Sequence, residues 1–186
     1  MPHKLSVILN VDSDLADQQL AGISIFDRAL SEATQFASNN GADVVVVKDG
    51  NLQEHLQKID AEIFVIHDAL RPLVTAAQMQ RTYEALGNCH AVRATMAFTE
   101  TLKALNEESH LTYTIDRNSM RRISSPEIIR RSVIDFEGAA STWSLPLLPE
   151  TRYSEVEADP EALRINSVDE GTLMEALLHW QHKIDN

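Results

Sequence analysis

An imidazole, a carboxylate and a guanidinium follow one another at His67, Asp68 and Arg71, directly behind the continuous apolar run Ile63, Phe64, Val65 and Ile66. Such a run reads as a strand buried on both faces of a parallel sheet, and Pro72 fixes the backbone behind the charged group. Charges at the carboxyl end of a strand stand where open α/β sheets bind ligands, in the crevice beyond the strand ends. The chemistry on offer is recognition of a ligand by charge. A plainer role is equally open, with Asp68 capping the next turn and Arg71 pairing with it.

The elements around this stretch are those of a doubly wound sheet. The spacing predicts a first strand over 5–11, a helix opened by Ser24 with Asp27 three residues later, and a second buried strand over 44–47. Ile23, Phe26, Leu30, Ala33 and Phe36 recur at helical spacing and predict the face that packs on the sheet. Gly41 marks that helix's exit, and residues 49–51 turn the chain into a helix carrying Leu52, Leu56 and Ile59. Beyond the strand over 62–66, Thr75 caps a helix running to about Leu86, and 91–96 reads as a further strand.

Residues 99–117 are polar with β-favouring Leu111, Tyr113 and Ile115, the pattern of a hairpin. Pro126 after Ser125 predicts a helix start, with Ile128, Ile129, Val133 and Ile134 on its apolar side. Residues 136–149 read as a loop, and 153–157 and 163–166 as short strands. Ser167 and Glu170 form a capping box for a last helix whose Leu173, Leu177 and Ile184 face the body. His179 and His182 share one side of it without an acidic ligand at helical spacing, which argues against a metal there.

The chain has 186 residues, 44% of them hydrophobic, enough for one domain with a sizeable core and no evident linker. No apolar run approaches the ~20 residues of a membrane span, and 1–11 lacks the form of a signal peptide, so a soluble cytoplasmic protein is expected. Cys89, the single cysteine, excludes an internal disulfide. A formal net charge of −12 argues against a nucleic-acid partner.

The segment HDALRP at 67–72 resembles the HDAARP of the 2-C-methyl-D-erythritol 4-phosphate cytidylyltransferases. Four further segments keep step. TETLK at 99–103 resembles D-T-[IL]-K, and IDRN at 115–118 resembles V-D-R-[SN]. SSPE at 124–127 resembles T-P-Q, and DPEALRI at 159–165 resembles D-P-x-N-[IL]-K-[IV]. The resemblance implies an α/β, doubly wound, mostly parallel sheet as a single domain over 1–186, with a projecting β-hairpin arm at 99–117 that reaches into a second copy in a homodimer. It implies transfer of CMP from CTP to a polyol phosphate in isoprenoid synthesis. Asp68 would hold Mg²⁺, and Arg117, Ser125 and Arg164 the acceptor phosphate. Thr101 would reach across from the other subunit, Lys103 would stand beside it on the arm, and Arg71 would support Asp68.

The nucleotide half departs from the family. Where the family follows its first strand with a glycine-rich basic loop, this chain has Asp12, Ser13, Asp14, Leu15, Ala16, Asp17, Gln18 and Gln19, and no Lys or Arg occurs between Lys4 and Arg28. Each carboxylate ~6 Å from a phosphate charge costs on the order of 3 kcal/mol at an effective dielectric near 20. Bound Mg²⁺ bridging carboxylate and phosphate would invert that sign, whereas an acidic loop is otherwise plain solvated surface. Of the family's base-reading segment only Gly50 remains. Two expectations follow: a cytidylyltransferase with a degraded nucleotide loop, or an inactive homologue serving as a dimeric scaffold or regulatory, ligand-binding protein.

Overall fold

The computed structural model describes residues 4–139 and 143–184, with side chains to His179 in the last helix. In chain order the elements are β1 (Leu5–Asn10), β2 (Gln19–Leu20), β3 (Ile23–Ser24), α1 (Ile25–Asn39), β4 (Asp43–Val47), α2 (Leu52–Lys58) and β5 (Ile63–Asp68). There follow α3 (Ala76–Glu84), β6 (Ala91–Ala97), the hairpin β7 (Leu102–Leu105) and β8 (Leu111–Ile115), β9 (Arg121–Arg130), β10 (Tyr153–Glu157) and α4 (Val168–Ile184).

Six strands form one sheet in the order β10-β6-β9-β5-β1-β4. All neighbours are parallel except β9, which runs antiparallel between β5 and β6. β5 is therefore central, as its apolar run predicts. Its side chains alternate between the two faces: Ile63 and Val65 pack with Phe36, Met79 and Ile128, and Phe64 and Ile66 with Ile8, Leu56 and Ile129. The mostly parallel α/β architecture and the hairpin agree with expectation.

Several expectations give way to packing. Ser125 and Pro126 do not open a helix; they lie inside β9. Two residues of β6, Arg93 and Thr95, face β9 partners four apart, Glu127 and Ile123, so β9 bulges over 124–126. The bulge tolerates a residue without an N–H, and the Ser125–Pro126 bond is cis. The β-branched Ile128 and Ile129, buried on opposite faces, complete a strand. β4 is an edge strand with Val44 to Val46 only half-buried. Residues 163–166 pair with no strand; they cross the carboxyl ends of the sheet, where Ile165 N–H donates to the Leu70 carbonyl at 2.8 Å.

Both amphipathic faces are rotated from their expected positions. In α1, Ile25, Ala29, Ala33, Phe36 and Ala37 are buried, while Ile23 is 47% exposed. The Ser24 cap, which accepts from Asp27 N–H at 2.9 Å, leaves Ile23 outside the helix in β3. In α4, Gly171 and Met174 face the body, and Leu173 and Leu177 are 65% and 44% exposed. At this contact the Gln18 side-chain amide lies where a Cβ on residue 171 would stand, so glycine leaves room for it and a larger residue would have to push the amide aside. The Glu175 carboxylate then accepts from Ala21 N–H at 2.9 Å. Glu175 is also an acid one turn before His179, 4.0 Å from its Nε2, contrary to the sequence reading. The side chains of His182 and Ile184 lie outside the described residues.

Candidate active site

β1 and β5 run parallel with Asn10 opposite Asp68, so both chains leave the sheet at the same edge. Arg164, on the segment crossing that edge, joins them. Its Nε donates to Asp68 Oδ2 at 2.9 Å, its Nη2 lies 2.9 and 2.8 Å from the two oxygens of Asp12, and its Nη1 donates to Asn166 Oδ1 at 2.7 Å. Asp68 Oδ1 accepts from Leu70 N–H at 2.9 Å, so Asp68 caps its own turn as well.

Arg71 is a buried tie. Its Nη1 and Nη2 donate to the carbonyls of Ala162 and Ile123, each at 2.8 Å, and its Nε lies 3.5 Å from Asp68 Oδ2. Burial lowers its pKa, and Asp68 opposes the shift. One guanidinium thus fixes the distance between β5, β9 and the crossing segment.

Ser125 is engaged on the sheet itself. Its Oγ accepts from Asp68 N–H at 3.1 Å and lies 2.7 Å from His67 Nδ1. Nε2 is buried with no hydrogen-bond partner among the described residues. Burial, with Arg71 nearby, pushes the His67 pKa down to about 3, so the ring is neutral.

Asp68, Arg71, Ser125 and Arg164 line one cavity of about 170 Å³ together with Asn10 and Glu127. Glu127 escaped the sequence reading. Its carboxylate accepts from Ser144 N–H at 2.7 Å and stands 4.0 Å from Arg93, whose guanidinium lies 3.5 Å over the Trp143 ring. Burial raises the Glu127 pKa against the pull of Ser144 and Arg93. The only sequence signal was a lone base within the apolar run 91–97 and an acid directly before Ile128 and Ile129; that they face each other is set by the register.

The other expected site residues lie elsewhere. Lys103 Nζ donates to Thr114 Oγ1 at 2.7 Å across the hairpin, and Thr101 is exposed at its base. Arg117 donates to the Thr99 carbonyl and lines a separate cavity with Arg121 and Glu155. Gly50, at φ +73°, forms the turn after β4 and lines neither cavity.

The loop after β1 folds on itself. Ser13 Oγ accepts from Leu15 N–H at 3.2 Å, and Asp14–Asp17 forms a 3-10 turn whose Ala16 and Gln18 N–H groups bond back to Ser13 and Leu15. Gln18 Nε2 donates to the Val168 carbonyl at 3.2 Å, tucking the loop under α4. N–H groups already satisfied cannot also cradle a phosphate. Asp14 and Asp17 are exposed. Asp17→Lys is expected to strengthen binding of inorganic triphosphate by about 1 to 3 kcal/mol, the scale of a charge-assisted contact. Calorimetry checks it, and weaker binding would make the carboxylates metal ligands.

The donor set does not fit a resident metal. Both Asp68 oxygens are engaged, one of them by Arg164, and no group of three or more His, Cys, Asp or Glu suited to a metal occurs among the described residues.

A doubly wound sheet with a charged crevice at the carboxyl ends of its central strands defines an α/β protein of nucleotidyltransferase-like architecture. The chain belongs to the 2-C-methyl-D-erythritol 4-phosphate cytidylyltransferase (IspD) family, which residues 10–141 match. A relative of that name from Syntrophus aciditrophicus is 26% identical over 136 residues, 72% of this chain and 51% of its own length. The bifunctional enzyme IspD/IspF of Rhodopseudomonas palustris (strain BisB5) is 35% identical over 81 residues, 44% of this chain and 20% of its own. The chain thus spans about half of the first relative and a fifth of the second.

Among solved structures, 4-diphosphocytidyl-2C-methyl-D-erythritol synthase from Anaerococcus prevotii superposes with a TM-score of 0.78 at 14% identity, over 96% of this chain and 100% of that one. The 2-C-methyl-D-erythritol 4-phosphate cytidylyltransferase of Thermus thermophilus gives 0.75 at 17%, over 95% and 99%. These likenesses speak for the fold. No helix among the described residues is long and apolar enough to cross a membrane.

Proposed function

We propose that this chain is a diverged cytidylyltransferase, moving CMP from CTP to 2-C-methyl-D-erythritol 4-phosphate or a related polyol phosphate in isoprenoid synthesis. The family membership supports this, and the observation that carries it is the convergence of Asp68, Arg71, Ser125 and Arg164 on one cavity at the carboxyl end of β5. A phosphate oxygen of the acceptor attacks the α-phosphorus of CTP in line and pyrophosphate leaves, so catalysis rests on positioning and charge neutralisation. Arg164 takes the acceptor phosphate, Asp68 orients Arg164, and Arg71 holds Asp68 in place. Ser125 acts by positioning Asp68 through its backbone N–H.

In this reading Arg117, Thr101 and Lys103 serve a second copy through the hairpin, which supports a homodimer, and Gly50 borders the nucleotide. Leu105, Leu111 and Tyr113 are 60 to 71% exposed on that hairpin, an apolar surface suited to a second copy. Light scattering at micromolar concentration is expected to give twice the chain mass; a monomer would end the arm's assignment. Magnesium, which the resemblance implies, gains access to Asp68 only if Arg164 withdraws.

A second reading is a non-catalytic homologue, a dimeric scaffold or regulatory, ligand-binding protein. The specific observation in its favour is the acidic loop folded on itself under α4. Pyrophosphate release from CTP, Mg²⁺ and 2-C-methyl-D-erythritol 4-phosphate decides between them. Turnover abolished by Asp68→Asn supports the enzyme. No turnover, with the polyol phosphate still bound, supports the second reading.

A further inference from the structure

Arg164 forms the wall between two cavities. One is the 170 Å³ cavity holding Asp68 and Ser125; the other is a groove of about 460 Å³ beside Arg71, Arg122 and Leu163. Each nitrogen of its guanidinium has a partner within the chain, Asp68 on Nε, Asn166 on Nη1 and Asp12 on Nη2. Two of these partners differ in kind. Asp68 is held in place independently, by Leu70 N–H and beside Arg71. Asp12 sits at the start of the loop with its side chain 47% exposed, and both its oxygens lie on one nitrogen of Arg164.

We propose that Asp12 is an internal stand-in for the phosphate of a phosphate monoester. Its two oxygens occupy the Arg164 nitrogen that a ligand's phosphate takes, and the ligand binds by displacing Asp12 into water. Carboxylate and phosphate meet a guanidinium through the same oxygen geometry, so one can substitute for the other. Opening is inexpensive because an exposed pair contributes only about 1 kcal/mol or less. Asp68 stays on Nε and keeps the guanidinium oriented. The arrangement also accounts for Asp12 in a loop where carboxylates otherwise repel phosphates: it neutralises Arg164 while the site is empty. Arg122, which lines the same groove and packs 5.7 Å over the Phe98 ring, is a second cation for the incoming anion.

The inference rests on the reading that this cluster receives an acceptor phosphate, but its test uses no nucleotide. Calorimetric titration with glycerol 3-phosphate, and separately with inorganic phosphate, compares wild type with Asp12→Asn and Asp12→Ala. Both variants are expected to bind glycerol 3-phosphate about fivefold tighter, the release of one such pair. Adding Arg164→Met to Asp12→Asn should abolish the gain. Asp14→Asn removes the same charge from the same loop without a bond to Arg164, and should change binding less than about twofold.

Unchanged affinity in both Asp12 variants overturns the proposal, as does an equal gain from Asp14→Asn, which would reduce the effect to net charge. A gain for inorganic phosphate but none for glycerol 3-phosphate overturns the assignment to a monoester. Absence of turnover with CTP would sink the enzyme reading and leave these titrations standing.

Discussion

Arg71→Ala is expected to destabilise the fold by about 3 to 5 kcal/mol, the scale of losing two buried hydrogen bonds from a charged donor. The guanidinium is nearly inaccessible and satisfies the carbonyls of Ala162 and Ile123 while standing beside Asp68. Its loss takes a charged donor from both carbonyls, of which Ala162 keeps the Ser124 hydroxyl at 3.1 Å, and removes one of the two cations beside Asp68. Arg71→Lys should recover less than half, because an ammonium keeps the charge without the planar fork that spans three partners. Urea denaturation read from the far-ultraviolet circular dichroism measures both. A loss below about 1 kcal/mol for Arg71→Ala would mean that the tie is dispensable.

Acid should weaken the protein through His67. Its folded-state pKa of about 3 lies below the ordinary value of 6.5, so between these values the unfolded chain binds a proton that the folded chain refuses. The stability it confers is fully present above pH 6.5 and falls by about 1.4 kcal/mol per unit as pH drops toward 3, roughly 2.7 kcal/mol by pH 4.5. Glu127 works in the opposite sense. Its raised pKa makes the folded state hold its proton more firmly, so its stabilisation is complete below its ordinary value of 4.5 and is lost as pH rises through the folded value. The wild-type profile sums these with the other titrating groups, among them Asp49, Glu54 and Asp60, whose partners lower their pKa values, and His67→Gln isolates the first. Urea midpoints between pH 7 and 4.5 should fall more steeply for wild type than for the variant; parallel profiles would contradict a neutral buried imidazole.

The position of Asp68 at the carboxyl end of the central strand was legible because it depends on local pattern. The run 63–66 can only be satisfied by burial on both faces, and a charged group directly behind it must then emerge at the sheet's edge. The hairpin, the Ser24 cap and α2 were readable for the same reason: each is specified by neighbours a few residues apart. β9 was not. A Ser-Pro pair followed by isoleucines fits a helix start as well as a bulged strand, and only the places open between β5 and β6 settle the choice.

By itself the sequence determined the central strand, the family's segment order and the absence of a glycine-rich basic loop, since all three are properties of contiguous residues. Tertiary structure alone decided the pairing of charges. Asp12 and Arg164 lie 152 positions apart and Asp68 and Arg164 lie 96 apart, yet one guanidinium holds both carboxylates. Arg93 faces Glu127 only through strand register. The rotation of α4 was likewise set by packing, in which the Gln18 amide lies against Gly171, because helical periodicity restricts the possible faces of a helix but not which of them meets the body.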